Sequence, residues 1–175
     1  MDAEEAIRTL IRWMGDDPCR EGLRDTPSRV LRAYEEWFAG YLQDPAEHLA
    51  RTFEEVHGYD EPVLIQGIPF QSWCEHHLAP ITGLVHIGYF PDGRVVGLSK
   101  LARVVDTITK RLQTQERMTA EIAEVIEHVL QPRGVAVRID AQHACMSTRG
   151  VQKHGVLTST SKMLGLFQGG PFAAE

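Results

Sequence analysis

The sequence predicts an α+β protein with an antiparallel sheet, and three observations lead to this prediction. Residues 1–57 carry apolar side chains at helical spacing, whereas the chain after Gly58 turns to runs rich in β-branched and aromatic residues. Two further helical patterns separate the first strand patterns from the last. This order of helices, two strands, two helices and two strands is typical of an α+β domain. We therefore expect a helical arm over 1–57 and one domain over 58–175.

The arm is predicted to contain two helices and a shorter third. Residues 7–14 place apolar side chains at i, i+3, i+4 and i+7, and the G-D-D-P segment that follows ends this pattern. Asp25 is a candidate N-cap for a second helix, with Pro27 at an early helical position. A shorter helix is expected over residues 48–53.

The domain begins with strands. Residues 63–70 are expected to form an irregular strand, because Gly67 and Pro69 interrupt its β-branched and aromatic run. Residues 81–90 and 94–98 are predicted to pair as a hairpin across the P-D-G segment between them.

Two helices and two strands complete the predicted domain. Ser99 is a candidate N-cap for a helix that reaches Ile108, and a second helix is predicted over about 119–130. Residues 135–140 alternate between apolar and other side chains, which predicts a strand. A final strand is predicted over 156–163.

The composition excludes several classes of protein. The 175 residues are 43% hydrophobic and 24% charged, which is typical of a folded soluble chain. There is no apolar run near the roughly 18 residues that span a bilayer, and the acidic start M-D-A-E-E is unlike a signal peptide. A net charge of −6 argues against broad binding to nucleic acid. We expect a soluble, cytoplasmic protein without membrane or nucleic-acid partners.

Two short segments carry candidate metal ligands. Cys74 and His77 in S-W-C-E-H-H are three residues apart, so one turn can direct both at one point. His143 and Cys145 in A-Q-H-A-C are two apart, and on a strand they would share a face. Two thiolates and an imidazole suit zinc, and a catalytic zinc takes three protein ligands and one water. More than three candidates are present, so a spare histidine remains for proton transfer.

A closed structural zinc with two cysteines and two histidines is the main alternative. However, His143 follows His77 by 66 positions, which exceeds the usual gap of a zinc finger. The H-x-E and P-C-x-x-C pattern of zinc deaminases is missing. The residues therefore favour a hydrolytic zinc site.

Basic residues near these segments indicate an anionic substrate. Lys100 and Arg103 lie three apart near a predicted helix start, and Arg149 and Lys153 follow the second metal segment. Together they can hold a polyphosphate, although each alone is a common surface charge. Glu116 could accept two N–H bonds from a guanine edge, or be an ordinary acid at a helix start.

These segments together resemble the GTP cyclohydrolase I family, enzymes that open the imidazole ring of GTP. The matching segments cover nearly the whole chain in order: R-E-G-L-R-D-T-P-S-R-V, C-E-H-H-L-A-P, G-L-S-K-L-A-R, Q-T-Q-E-R-M-T, G-V-A-V-R-I-D-A-Q-H-A-C-M-S-T-R-G and T-S-T-S. The resemblance implies the tunnelling fold, with an antiparallel sheet, two helices on one face and an N-terminal helical arm. It also implies a homodecamer of two stacked five-membered rings, with sites at subunit boundaries.

The resemblance further implies the roles of individual residues. One zinc per subunit is expected on Cys74, His77 and Cys145, and His76 and His143 are the expected catalytic histidines. The residues expected to bind GTP are Gln115 and Glu116 for guanine, Ser99 for ribose, and Lys100, Arg103 and Arg149 for triphosphate.

The implied reaction begins with hydrolysis at C8 and release of formate. Rearrangement of the ribose and ring closure then give 7,8-dihydroneopterin triphosphate, the first step of tetrahydrofolate and pterin biosynthesis. We expect His143 to protonate the departing ring nitrogen and His76 to orient water or relay a proton.

Departures and rival functions are few. Trp73, Gln152 and Lys162 differ from the residues expected at their positions, and none is a proposed ligand. One rival is a nitrile reductase of the same fold, which needs a nucleophilic cysteine and no zinc. Another is a zinc-stabilised protein that binds a guanine nucleotide without turnover.

Overall fold

The computed structural model describes residues 2–54 and 58–169. Its contacts divide the chain into two compact units, Met1–Ala39 and Gly40–Glu175. The boundary predicted from the sequence, between residues 57 and 58, adjoins residues 55–57, which lie outside the described residues.

The first unit contains helices α1 (Ala3–Trp13) and α2 (Thr26–Trp37), which pack against each other. Both helices were predicted, and α1 is capped by Asp2, whose carboxylate accepts a hydrogen bond from the backbone N of Glu5. Asp25 is the N-cap residue of α2 and Pro27 lies in its first turn, as predicted. Asp25 makes no capping hydrogen bond, and its carboxylate instead pairs with Arg29 one turn later, at 3.3 Å.

The second unit is built around a five-stranded sheet with strand order β5-β2-β3-β6-β7. Strands β2, β3, β6 and β7 are antiparallel neighbours, whereas the short β5 runs parallel to β2. The predicted α+β class is confirmed. The strands are β1 (Thr52–Phe53), β2 (Val63–Cys74), β3 (Pro80–Phe90), β4 (Val95–Val96), β5 (Leu112–Gln113), β6 (Gly134–His143) and β7 (Thr158–Gly165). The helices are α3 (Leu98–Thr109), α4 (Gln115–Leu130) and the short α5 (Ala144–Ser147).

The predicted hairpin between residues 81–90 and 94–98 is wrong. Strand β3 already has β2 on one edge and β6 on the other, so the segment after Phe90 finds no free edge there. Strand β4 pairs with β1 instead. This pairing also corrects the helix predicted over 48–53, because the helical turn is Pro45–Leu49 and Phe53 lies in β1.

Both helices next to the sheet begin earlier than predicted. Helix α3 starts at Leu98 after Gly97, so Ser99 lies in its first turn and is not the N-cap. Helix α4 starts at Gln115, because the hydroxyl of Thr114 accepts a hydrogen bond from the backbone N of Arg117. The segment Q-E-R therefore forms the first turn of α4.

The core lies between the sheet and helices α3 and α4. Alternate residues of β6 are fully buried, as the predicted period of two requires. Burial of this apolar surface is the main force that holds the helices on the sheet. The core residues of these elements include Val135, Val137, Ile139, Leu101, Val104, Ile122 and Ile126. None of the helices in the described part of the chain combines the length and the apolar character that a membrane crossing requires.

Candidate metal centre

A tight turn between β2 and β3 brings Cys74 and His77 together. The backbone N of Cys74 donates to the carbonyl of Ala79 at 2.8 Å, and the N of Leu78 donates to the carbonyl of Cys74 at 2.9 Å. Leu78 closes the turn in the left-handed region, with φ +52°. As a result, Nδ1 of His77 lies 3.6 Å from Sγ of Cys74.

Cys145 joins this pair from the end of β6, the strand next to β3. Strand β6 pairs with β3 so that His143 lies opposite Ile81, and Cys145 follows in α5. The ligand atoms of Cys74, His77 and Cys145 all lie within 4.8 Å of one another. The prediction that His143 and Cys145 share a strand face is wrong, because β6 ends at His143 and the chain then turns into a helix.

The three residues fit a zinc ion. Zinc–sulfur and zinc–nitrogen bonds of about 2.3 and 2.1 Å at a tetrahedral angle separate the two ligand atoms by about 3.6 Å. The Cys74–His77 distance has this value. Two thiolates and one imidazole also match the ligand softness that zinc prefers, and three ligands leave one tetrahedral position for water.

The electrostatics of the group explain why it needs a cation. Burial raises the pKa of the Cys145 thiol, and the neighbouring Cys74 raises it further. Two thiols at this separation resist ionising together unless a positive charge lies between them. A divalent metal supplies that charge, and its binding releases thiol protons.

His76 lies beside the metal group and faces solvent. Its Nδ1 is 3.8 Å from Sγ of Cys74, and its Nε2 is 3.7 Å from Oε1 of Glu75. The ring is therefore close to the group without being one of its three ligands, a position suited to proton transfer.

His143 lies at the end of β6 and is hydrogen-bonded to Gln115. Its Nε2 is 2.8 Å from Oε1 of Gln115. Burial lowers the pKa of His143, and the opposing effect of Glu116 is smaller. Glu116 itself is exposed in the first turn of α4.

The sequence did not predict the hydrogen bond between His143 and Gln115. It predicted instead that Gln115 contacts guanine. Its side chain is buried, and its amide nitrogen donates to the carbonyls of Ile139 and Thr158 at 2.9 and 2.8 Å. No local sequence signal marks this link, because it joins segments that only the folded sheet brings together.

The basic residues divide into two locations. Arg149 borders the metal group, with Nη1 3.2 Å from Nε2 of His77. Ser99, Lys100 and Arg103 lie instead near the start of α3, whose other end leads into β5 beside Cys74. At 1.5 Å per residue, Lys100 is about 14 Å along the helix axis from that end. Lys100 is therefore displaced along α3 from the end of the helix that lies next to the metal group.

Comparison with known proteins identifies the family. Residues 3–173 match the family model described as GTP cyclohydrolase I. The chain belongs to the GTP cyclohydrolase I family. This confirms the resemblance inferred from the ordered motifs.

Curated relatives in the GTP cyclohydrolase I family are similar over nearly the full chain. GTP cyclohydrolase 1 of Sinorhizobium fredii is 56% identical over 170 residues, which cover 97% of this chain and 83% of the relative. GTP cyclohydrolase 1 of Maricaulis maris is 56% identical over 167 residues, covering 95% and 82%. A solved apo structure of an archaeosine synthase described as QueF-like has 18% identity and a TM-score of 0.47, and the match covers 60% of this chain and 92% of that one.

Proposed function

We propose that this chain catalyses the GTP cyclohydrolase I reaction. GTP is opened hydrolytically at its imidazole ring, formate leaves, and rearrangement with ring closure gives 7,8-dihydroneopterin triphosphate, for use in tetrahydrofolate or pterin synthesis. The observation that carries this proposal is the convergence of Cys74, His77 and Cys145 beside His76, in a chain of this family.

The residues around the metal group account for the hydrolysis. Zinc held by Cys74, His77 and Cys145 would lower the pKa of water towards about 7 and so supply hydroxide at neutral pH. Loss of C8 as formate breaks two C–N bonds, and each ring nitrogen must gain a proton. We assign the delivery of one of these protons to His143, which first takes it up from the attacking water, and we assign the orientation of water, or a proton relay, to His76.

The substrate is held by residues at both ends of the domain in this proposal. Glu116 is exposed near His143 and would accept two N–H bonds from guanine. Gln115, which was predicted to bind guanine with it, already uses its side chain inside the protein. The proposed phosphate and ribose contacts remain those predicted from the sequence: Ser99, Lys100, Arg103 and Arg149.

We propose that two subunits build each site within a tunnelling-fold homodecamer of two pentamers, with a helical arm preceding a catalytic domain. The separation of Lys100 from the metal group supports this, since a neighbouring subunit can supply the missing basic residues. Large apolar side chains are also exposed, with Trp13 82% and Leu42 90% exposed, and contacts between subunits would bury them. The outer edge of β7 has no partner strand among the described residues. The cytoplasmic location stays a prediction.

Formate release from GTP tests the proposed function. The purified, zinc-loaded protein should release formate and yield a fluorescent pterin after oxidation, and Cys145→Ala should abolish both signals. Formate without pterin would mean that the ring opens and the rearrangement fails. If GTP and zinc are bound but neither signal appears, the chain is a nucleotide-binding protein and the proposal is wrong.

A further inference from the structure

The side-chain amide of Gln115 connects His143 to the backbone of two strands. Its nitrogen donates to the carbonyls of Ile139 in β6 and Thr158 at the start of β7, and its oxygen lies 2.8 Å from Nε2 of His143. Three segments of the chain therefore meet at one amide group: the start of α4, strand β6 through Ile139 and His143, and the start of β7.

This pattern determines the orientation of the amide. A backbone carbonyl can only accept a hydrogen bond, so the NH₂ group must face Ile139 and Thr158. The amide oxygen must then face His143 and accept a hydrogen bond from Nε2. A neutral His143 therefore carries its proton on Nε2, and Nδ1 is the nitrogen that keeps a free lone pair.

The surroundings of Gln115 hold this arrangement in place. The residue is only 1% exposed. One turn along α4, the hydroxyl of Thr119 donates to the carbonyl of Gln115 at 2.8 Å and lies 2.7 Å from the hydroxyl of Thr160 in β7. If the amide turned towards a substrate, the carbonyls of Ile139 and Thr158 would lose a hydrogen-bond donor. Nε2 of His143 would also lose its acceptor.

We propose that Gln115 is a positioning residue that fixes the ring orientation and tautomer of His143, and that its side chain does not bind guanine. This inference rests on the proposed function, because it assigns a role within the same reaction. It is supported by the three hydrogen bonds and by the burial of the side chain. The guanine base is left to Glu116, which is exposed next to it.

Gln115→Met tests the inference, because methionine has nearly the same length and cannot make these hydrogen bonds. We expect kcat for formate release to fall about 10- to 100-fold, which is the scale of misplacing a catalytic group by about 1 Å. We expect KM for GTP and the zinc content to stay the same. In a His143→Ala background, Gln115→Met should lower kcat no further, since its effect passes through that ring.

Gln113 provides a matched control. It is another buried glutamine two residues away. Its amide nitrogen donates hydrogen bonds to the carbonyl of Ile108 and to the carboxylate of Glu121, not to His143. Gln113→Met removes a buried amide and should lower thermal stability without the fall in kcat. If Gln115→Met fails to fold, Gln115→Glu and Gln115→Leu are compared instead: a protonated Glu carboxyl can donate to one strand carbonyl and accept from Nε2, so Gln115→Glu should keep the higher kcat, and equal kcat values would overturn the inference.

Binding gives a readout that does not depend on turnover. In the His143→Ala background, the dissociation constant for GTP should be unaffected by Gln115→Met. Weaker GTP binding there, or a raised KM with unchanged kcat, would show that Gln115 holds guanine and would overturn the inference. An equal loss of kcat in both backgrounds, or in Gln113→Met, would also overturn it. Failure of the proposed function is separate, since the unaltered protein would then release no formate.

Discussion

Nδ1 of His77 lies 3.6 Å from Sγ of Cys74, the separation that two ligands of one tetrahedral zinc ion require. The turn that produces it is short and strongly hydrogen-bonded, so this part of the site is prepared by the backbone before any metal binds. Cys145 then completes the group from α5.

Removal of one thiolate should remove the metal. Cys145→Ala is expected to bind zinc at least 10-fold more weakly than the unaltered protein, because one of three protein ligands is lost. Zinc content after dialysis, measured by atomic absorption, checks this. Cys19→Ala is the matched control, since Cys19 is an exposed free cysteine in the first unit. Equal zinc content in all three proteins would contradict the ligand assignment.

Zinc affinity should rise with pH. Burial and the neighbouring Cys74 hold the pKa of Cys145 above its ordinary value, so this thiol is protonated throughout the neutral range. Zinc must displace that proton, and each unit of pH should strengthen binding by about 10-fold per proton released. Competition with a chelator at pH 6.5 and 7.5 measures the change. An affinity independent of pH would mean that the thiol is not a ligand.

Two inactive variants should complement each other if the site is shared between subunits. Lys100→Met removes a charge near the start of α3, whereas Cys145→Ala disables the metal group. In a random mixed assembly, a site is intact where a subunit with Cys145 lies next to a subunit with Lys100. Each of these has a chance of about one half, so roughly a quarter of the original activity should return. Activity is assayed after joint refolding. Separately refolded and then pooled proteins are the control and should stay inactive, and a jointly refolded sample with no activity would contradict a shared site.

The left-handed conformation of Leu78 should make this position favour glycine. Its φ of +52° is unfavourable for a residue with a Cβ by about 1 kcal/mol, and its side chain is 56% exposed, so little packing is lost on truncation. We expect Leu78→Gly to be neutral or slightly stabilising. Leu78→Val should destabilise by about 1 kcal/mol, because a β-branched residue fits this region least well. Denaturant midpoints of the zinc-loaded proteins measure both changes in stability. If the glycine variant were as unstable as the valine variant, the backbone at Leu78 would not be strained.

Local patterns predicted the parts of the fold and site that depend on local sequence. Helix α1, the alternating strand β6 and the turn joining Cys74 to His77 follow from spacing alone. The pairing of β4 with β1 did not, because it depends on which edges of β3 are already occupied. The bond between Gln115 and His143 and the distance of Lys100 from the metal group likewise depend on strand order and direction, which no segment encodes by itself.

We propose that this chain removes C8 of GTP by hydrolysis at the Cys74–His77–Cys145 group. It is tested most directly with GTP carrying ¹³C at C8, incubated with the zinc-loaded protein and followed by NMR. We predict that the label appears in formate at a rate that matches the loss of GTP, and that Cys145→Ala leaves it in the purine. If GTP is consumed while the label stays in the nucleotide, the claim is contradicted.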